Sequence, residues 1–153
     1  MMQQTLVFLK PDCLQRGLIG EIISRFEKRG LKIVAMKMLK ITPELSKKHY
    51  AHLVTKGFYP DLEKFVTSYP VVAFVLEGKE VIEVLRGMLG PTNSRKAPSG
   101  TIRGDFSMSM SRNIIHASDS LEAAQKEIDN FFKKEEMYSY EFLNDEFIYA
   151  SDE

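Results

Sequence analysis

Thr5-Leu6-Val7-Phe8-Leu9-Lys10-Pro11-Asp12 carries a short apolar run into a charged turn. Continuous apolar character over so few residues reads as a buried strand, and Pro11 stops it. From Leu18 the period changes. Leu18, Ile19, Ile22, Ile23 and Phe26 share one helical face, and Gly30 after Lys28-Arg29 is a C-terminal stop. Leu31 to Met36 then reads as a second strand. Thr42-Pro43-Glu44 opens another helix, Thr42 as N-cap and Pro43 at the first helical position, which carries His49, Tyr50 and Leu53. A shorter helix follows Pro60, with Leu62, Phe65 and Val66 facing inward. Val71 to Leu76 is a third buried strand, and Lys79 to Leu89 a helix closed by Gly90. Pro91 to Asp105 reads as a long loop. Asn113 to His116 is the fourth strand, and the last long helix runs from Ser120 to about Phe132, with Asp119 as N-cap and Glu122 completing a capping box. The order β-α-β-α-β-α-β with short crossovers predicts an α+β fold. It is a ferredoxin-like α/β sandwich (βαββαβ): a four-stranded antiparallel sheet with helices packed on its face and a long loop before the last strand.

The bulk properties fit that frame. A chain of 153 residues suits one domain spanning 1–153, with 132–153 as a C-terminal extension, and buries enough surface to need no staples. Twenty-one basic residues balance 21 acidic ones, which argues against a protein that coats nucleic acid or an anionic membrane. The single cysteine, Cys13, excludes an internal disulfide framework and a cysteine-based zinc site. The longest apolar stretch, Val71–Leu76, is too short to span a bilayer, and Met1 to Gln4 lead into the first strand without a charged region followed by a long apolar stretch. The expectation is a cytoplasmic protein.

Two features point to chemistry. His116 is delivered by a strand to the mouth of a helix, and imidazole is neutral and nucleophilic near pH 7. Glu127, on the helix that follows, could face back and fix its tautomer. The second feature is the loop. No acidic residue lies between Glu83 and Asp105, while Arg86, Arg95, Lys96 and Arg103 all do, along with the hydroxyls of Thr92, Ser94, Ser99 and Thr101. Guanidinium groups and hydroxyls in a Gly/Pro-shaped segment suit an anion, and phosphate first of all. No Walker-type Gly-x-x-x-x-Gly-Lys-Ser/Thr is present. Lys10, at the carboxyl end of its strand, suits a point charge over phosphate. Each residue also has a plainer reading: His116 as a core histidine, Lys10 as a surface lysine, the loop as solvated, and Phe58-Tyr59 as core plugs. His49 and His52, at i and i+3, lack an evident third ligand and read as incidental.

Lys10-Pro11-Asp12, Gly17 to Ile22, Gly100-Thr101-Ile102-Arg103-Gly104-Asp105-Phe106 and Arg112 to Ser120 resemble, in this order and spacing, the nucleoside diphosphate kinase family, from about Thr5 to Phe132. The resemblance implies that a nucleoside triphosphate, its phosphates bridged by Mg2+, gives its γ-phosphoryl group to His116. A nucleoside diphosphate then takes the group from the phosphohistidine in a ping-pong cycle. It implies Lys10, Arg86, Thr92 and Arg103 as phosphate ligands, with Lys10 and Asn113 also at the sugar hydroxyls and Phe58 on the base. Tyr50 and Glu127 would orient His116, and Ser118 would support Glu127. Magnesium is then held mainly by phosphate oxygens and water, without a protein carboxylate cage. The tail Phe147-Ile148-Tyr149 resembles that of hexameric members, so a homohexamer is expected.

Four positions depart from the family pattern: Cys13 for a glycine, Met110 for a valine against the base, Ser111 for a glycine, and Ser99 between Pro98 and Gly100. If the Cys13 position requires positive φ, cysteine is strained there. Ser99 lies in a loop that relatives use at the trimer contact. Two other classes compete: a silent relative acting as a scaffold, and a nucleic-acid-binding ferredoxin-like module. His116, Lys10, Arg103, Asn113 and Glu127 occurring together argue against the first. Zero net charge and the lack of an aromatic-rich strand motif argue against the second.

Overall fold

A computed structural model describes the whole chain, Met1 to Glu153. Strand β1 (Met2–Leu9) runs into a short helix α1 (Pro11–Gln15), followed by α2 (Ile19–Lys28) and β2 (Lys32–Leu39). Helices α3 (Pro43–His49) and α4 (Tyr59–Val66) lead to β3 (Val71–Lys79) and α5 (Val81–Leu89). A 3-10 turn at Ser94–Lys96, helix α6 (Ile102–Phe106), β4 (Ile115–Ala117), α7 (Leu121–Phe131), a second 3-10 turn and α8 (Asp145–Ile148) complete the order. The four strands form one sheet, β2-β3-β1-β4, with every neighbouring pair antiparallel. This is the ferredoxin-like α+β arrangement.

Helices cover both faces of the sheet, and the strand sequences explain why. In β1, Leu6 and Phe8 point to one side, Val7 and Leu9 to the other, and all four are fully buried. Strands buried on two faces read as unbroken apolar runs, as Thr5–Leu9 and Val71–Leu76 do. Val7, Leu9, Phe74 and Leu76 pack with Ile22 and Phe26 of α2 and Leu85 and Leu89 of α5. Leu6, Phe8, Ala73 and Val75 pack with Ile128 and Phe131 of α7 and with Tyr50, Tyr59 and Val66.

Local rules and the structure differ at several boundaries. The cap of α7 is Ser120, whose side chain accepts from Ala123 N at 3.1 Å; Asp119 lies outside the helix and forms no capping box. Thr42 caps α3 as expected, accepting from Leu45 N at 3.1 Å, but that helix ends at His49, so Tyr50 is its cap and Leu53 lies in a turn. β3 continues through Lys79, pairing with Met2, so α5 starts only at Val81. β4 is shifted to Ile115–Ala117 because Asn113 and Ile114 form a tight turn instead of strand. The stretch expected as loop contains α6, whose cap Thr101 accepts from Gly104 N at 3.0 Å. Cys13 sits inside α1 and is fully buried; the positive-φ non-glycine residues are Glu80 and Ile114, so cysteine meets no backbone strain there.

Candidate active site

Pairing of β4 with β1 sets His116 directly opposite Phe8. The imidazole stacks on the Phe8 ring, centroids 4.9 Å apart at 23°. Helix α7 returns across the same face and brings Glu127 to it. His116 Nε2 lies 3.0 Å from Glu127 Oε2, and Ser118 Oγ donates a short hydrogen bond to the same oxygen. A carboxylate partner assigns the ring proton to Nε2, which leaves the Nδ1 lone pair without a hydrogen bond. Burial pushes the His116 pKa down and Glu127 pushes it back; the charges of Lys10 and Arg103 lower it further, and the net direction is down. The ring is therefore neutral at pH 7. Burial pushes Glu127 up, but hydrogen bonds from His116 and Ser118 outweigh it and hold the carboxyl low.

The residues just before His116 form a strained support. Ile115 N donates to Asn113 O at 2.8 Å across Ile114, whose φ is +74°. This is a γ-turn of the rare kind, and a β-branched residue there costs on the order of 1–3 kcal/mol. Surrounding contacts hold it: Ile114 is fully buried, its N–H donates to Asp12 Oδ2 at 3.0 Å, and its carbonyl accepts from Lys10 N at 2.8 Å.

The same segment anchors two cations. Arg103, only 4% exposed, spends its guanidinium on backbone carbonyls: Nε to Asn113 at 3.2 Å, Nη1 to Gly90 at 3.0 Å and Nη2 to Ile115 at 2.7 Å. Lys10 Nζ donates to Asn113 Oδ1 at 2.7 Å, and Asn113 Nδ2 donates to the carbonyls of Thr92 and Met110 at 3.0 and 2.9 Å. Neither cation has a carboxylate partner within ion-pair distance. Burial and then Arg103 lower Lys10 to a pKa of about 8, and burial and then Arg86 lower Arg103 to about 10. Two buried cations with no carboxylate in ion-pair contact, and only the more distant Asp12 charge partly offsetting the fall at Lys10, make a site that an anion stabilises.

Other expected residues stand further out. Arg86 is exposed on α5 but close enough in charge to act on Arg103. Thr92 is exposed, its carbonyl tied to Asn113. Phe58 is 55% exposed at the start of α4, an open aromatic face. Tyr50 does not touch His116 by hydrogen bond: its ring packs edge-on against His49, centroids 4.5 Å apart, and its buried hydroxyl has no partner. The plain-core reading thus holds for Tyr59 but not for Phe58. Four contributors carried no functional assignment in the sequence: Phe8, His49, Asp12 and Ile114. Asp12 had a signal in its place after Lys10-Pro11; the positive φ of Ile114 had none.

A ferredoxin-like sandwich that sets a carboxylate-tethered histidine beside unpaired cations defines an anion-handling α+β protein. The family model for "Nucleoside diphosphate kinase" matches residues 3–137. A nucleoside diphosphate kinase of Rhodopirellula baltica is 59% identical over 152 residues, covering 99% of this chain and 100% of that protein. One of Carboxydothermus hydrogenoformans is 53% identical over 148 residues, covering 97% and 99%. Among solved structures, a halophilic nucleoside diphosphate kinase of Halobacterium salinarum in complex with CDP superposes with a TM-score of 0.95 at 39% identity, covering 97% and 99%. The chain belongs to the nucleoside diphosphate kinase family. That family is generally dependent on a divalent metal.

Proposed function

We propose that the protein transfers the γ-phosphoryl group of a nucleoside triphosphate to a nucleoside diphosphate, through a phosphohistidine at Nδ1 of His116. The observation that carries this reading is the 3.0 Å contact between His116 Nε2 and Glu127, which leaves Nδ1 as the free nucleophile of a neutral ring. In the first half-reaction the Nδ1 lone pair forms a bond to the γ-phosphorus while the bond to the β,γ-bridging oxygen breaks, and the diphosphate leaves. Glu127 accepts the Nε2–H bond throughout and stabilises the cationic phosphoimidazole. A second diphosphate reverses the step. Lys10, Arg86, Thr92 and Arg103 hold the phosphate oxygens, and catalysis is mostly positioning and charge neutralisation.

Asn113 has both ends of its amide engaged, so Lys10, with two donors still free, is the better placed of the two for the sugar hydroxyls. Phe58 stacks on the base through its exposed face, a contact tolerant of every nucleobase. Tyr50 positions His116 indirectly, through the His49 ring. Mg2+ fits as an ion that arrives on the nucleotide: Glu127 Oε2 is shared by His116 and Ser118 and Asp12 Oδ2 accepts from the Ile114 N–H, so the oxygens that hold it are mainly those of phosphate and water. When bound, Mg2+ supplies charge neutralisation on the phosphates.

The reading extends to the whole chain. Residues 1–153 act as one domain: the extension runs back along β2, with Tyr138 N donating to Val34 O at 2.9 Å and Tyr140 Oη to Ile33 O at 2.7 Å. No helix is long and apolar enough to cross a membrane, and the protein works in the cytoplasm. The tail resemblance supports a homohexamer; light scattering showing a tetramer or smaller would remove that part.

The test of the chemistry is direct. With γ-labelled ATP the protein should retain acid-labile, base-stable label, and a GDP chase should yield labelled GTP. An unlabelled wild type, or a His116→Ala variant that labels equally well, sinks the mechanism.

A further inference from the structure

His49 is drawn into the site by the fold. Its partner at i+3, His52, is exposed, whereas His49 is only 8% exposed and lies edge-on to His116, ring centroids 4.5 Å apart at 84°. Phe8, Tyr50 and Phe131 close the remaining sides. Inside this box His49 Nδ1 is buried and has no hydrogen-bond partner. One ring nitrogen from each of His49 and His116 and a carboxylate oxygen of Glu127 all lie within 4.8 Å of one another. Tetrahedral zinc, with bonds of about 2.0–2.2 Å, needs ligand atoms roughly 3.4 Å apart, so shifts of about an ångström complete the set. Two imidazoles and one carboxylate, with a coordination position left open, suit a borderline ion; Mg2+ prefers oxygen alone.

We propose that His49, His116 and Glu127 form a site for a borderline divalent transition ion, with zinc as its probe, and that occupancy switches off the phosphoryl acceptor. The switch follows from the tautomer. At the Glu127 side the ring offers Nε2, which carries the proton. An ion bound there takes the Nε2 lone pair, and the displaced proton is taken up at Nδ1. No electron changes hands and no net proton is released, but Nδ1 loses the lone pair it needs to attack phosphorus. The inhibitory half of this proposal rests on Nδ1 being the acceptor; the ion site does not.

The site is read without nucleotide. Co2+ added to the wild-type protein should give visible d–d bands of a low-coordinate ion. The bands should be lost in His49→Phe and Glu127→Gln and retained in His52→Ala. Buffered zinc should inhibit phosphohistidine formation in the presence of excess Mg2+ and ATP. In His49→Phe, or in His49→Gln if the first is poorly folded, half-inhibition should need at least tenfold more zinc, relative to each variant's own zinc-free rate. Nitrogen-15 spectra should show the His116 proton move from Nε2 to Nδ1 as zinc binds. Absent cobalt bands in the wild type, or bands unchanged in His49→Phe, overturn the ion site. Bands accompanied by zinc-insensitive labelling overturn the switch. Bands in a protein that never takes label support the ion site while refuting the kinase reading.

Discussion

Replacing Glu127 by Gln tests the mechanism at its centre. The amide keeps the shape of the side chain and one acceptor for the Nε2–H, so the 3.0 Å contact can persist while the charge disappears. A hydrogen bond to a charged group contributes about 1.5–3 kcal/mol and a neutral one roughly half of that. The loss falls when His116 becomes cationic on phosphorylation, so the barrier should rise by about 1–2 kcal/mol, or roughly 5- to 30-fold in kcat. KM should change little, because Glu127 touches no phosphate in this reading. The pH profile adds a sign. Glu127 raises the His116 pKa against the burial that lowers it. Without the carboxylate that pKa drops further, and the acid limb of the rate profile, which follows the neutral ring, should move to lower pH. Rapid-quench measurement of label incorporation from pH 4 to 9 reads both effects. A kcat within about threefold of wild type, or an acid limb that moves to higher pH, would refute the role given to Glu127.

Other predictions follow from the same geometry. Burial lowers Lys10 to a pKa of about 8, and in the proposed function its charged form holds phosphate, so KM for ATP should climb as pH rises through about 8; in Lys10→Arg that rise should vanish. In Gly104→Ala the new Cβ would sit 1.9 Å from the Pro98 carbonyl oxygen, a backbone clash that should cost at least about 1–3 kcal/mol in urea unfolding. Because α6 carries Arg103, activity should fall with it. Cys13 is buried, and burial with the nearby Asp12 charge pushes its thiol up to about 12, so the folded protein should resist thiol reagents that label it quickly in urea. Cys13→Gly should lower Tm despite being the family's usual residue, since it removes a fully buried side chain and adds a helix-propensity cost of roughly 0.3 kcal/mol relative to cysteine inside α1.

Much of the architecture was legible because apolar runs and helical faces follow local periods. The strands at Thr5 and Val71, the α2 face from Ile19 to Phe26 and the glycine stop at Gly30, with φ of +86°, all obey rules that act within a few residues. What failed locally was competition between equivalent signals. Asp119 and Ser120 are both good caps, and only packing of α7 on the sheet decides that Ser120 starts it. Helix α6 hides in a Gly/Pro-rich stretch that composition marks as loop, and is held from outside by Arg25, which reaches Asp105 at 2.6 Å and Gly100 O at 3.2 Å. In the site, residues with chemistry of their own were visible by type. The supports were not: Ile114 is an ordinary isoleucine until its φ is seen, and the approach of His49 to His116 depends on how α3 packs against α7.

The arrangement of charge around His116 implies a link between stability and ligand. Arg103 and Lys10 are buried against carbonyls and an amide of the segment that presents the nucleophile, so cations and acceptor move as one body. Holding them there with no carboxylate in ion-pair contact opposes folding, and their lowered pKa values record that cost, which Asp12 offsets only in part at Lys10. For Lys10 the sign is definite. Its folded pKa of about 8 lies below the free value of 10.5, so the unfolded chain binds more protons between the two, and this residue makes the apo protein gain stability as pH rises through that window. A polyphosphate supplies the missing negative charge, and at 100 times its Kd any such ligand stabilises by about 2.7 kcal/mol. Lys10→Met removes the buried charge and keeps much of the volume. The variant should therefore match or exceed the wild type in Tm without nucleotide, yet gain less from a fixed concentration of ADP. Differential scanning calorimetry with and without nucleotide separates the two effects. A Lys10→Met protein that is less stable when empty but gains as much from ADP as the wild type would show that Lys10 is a packing residue, and that the cleft draws its affinity from elsewhere.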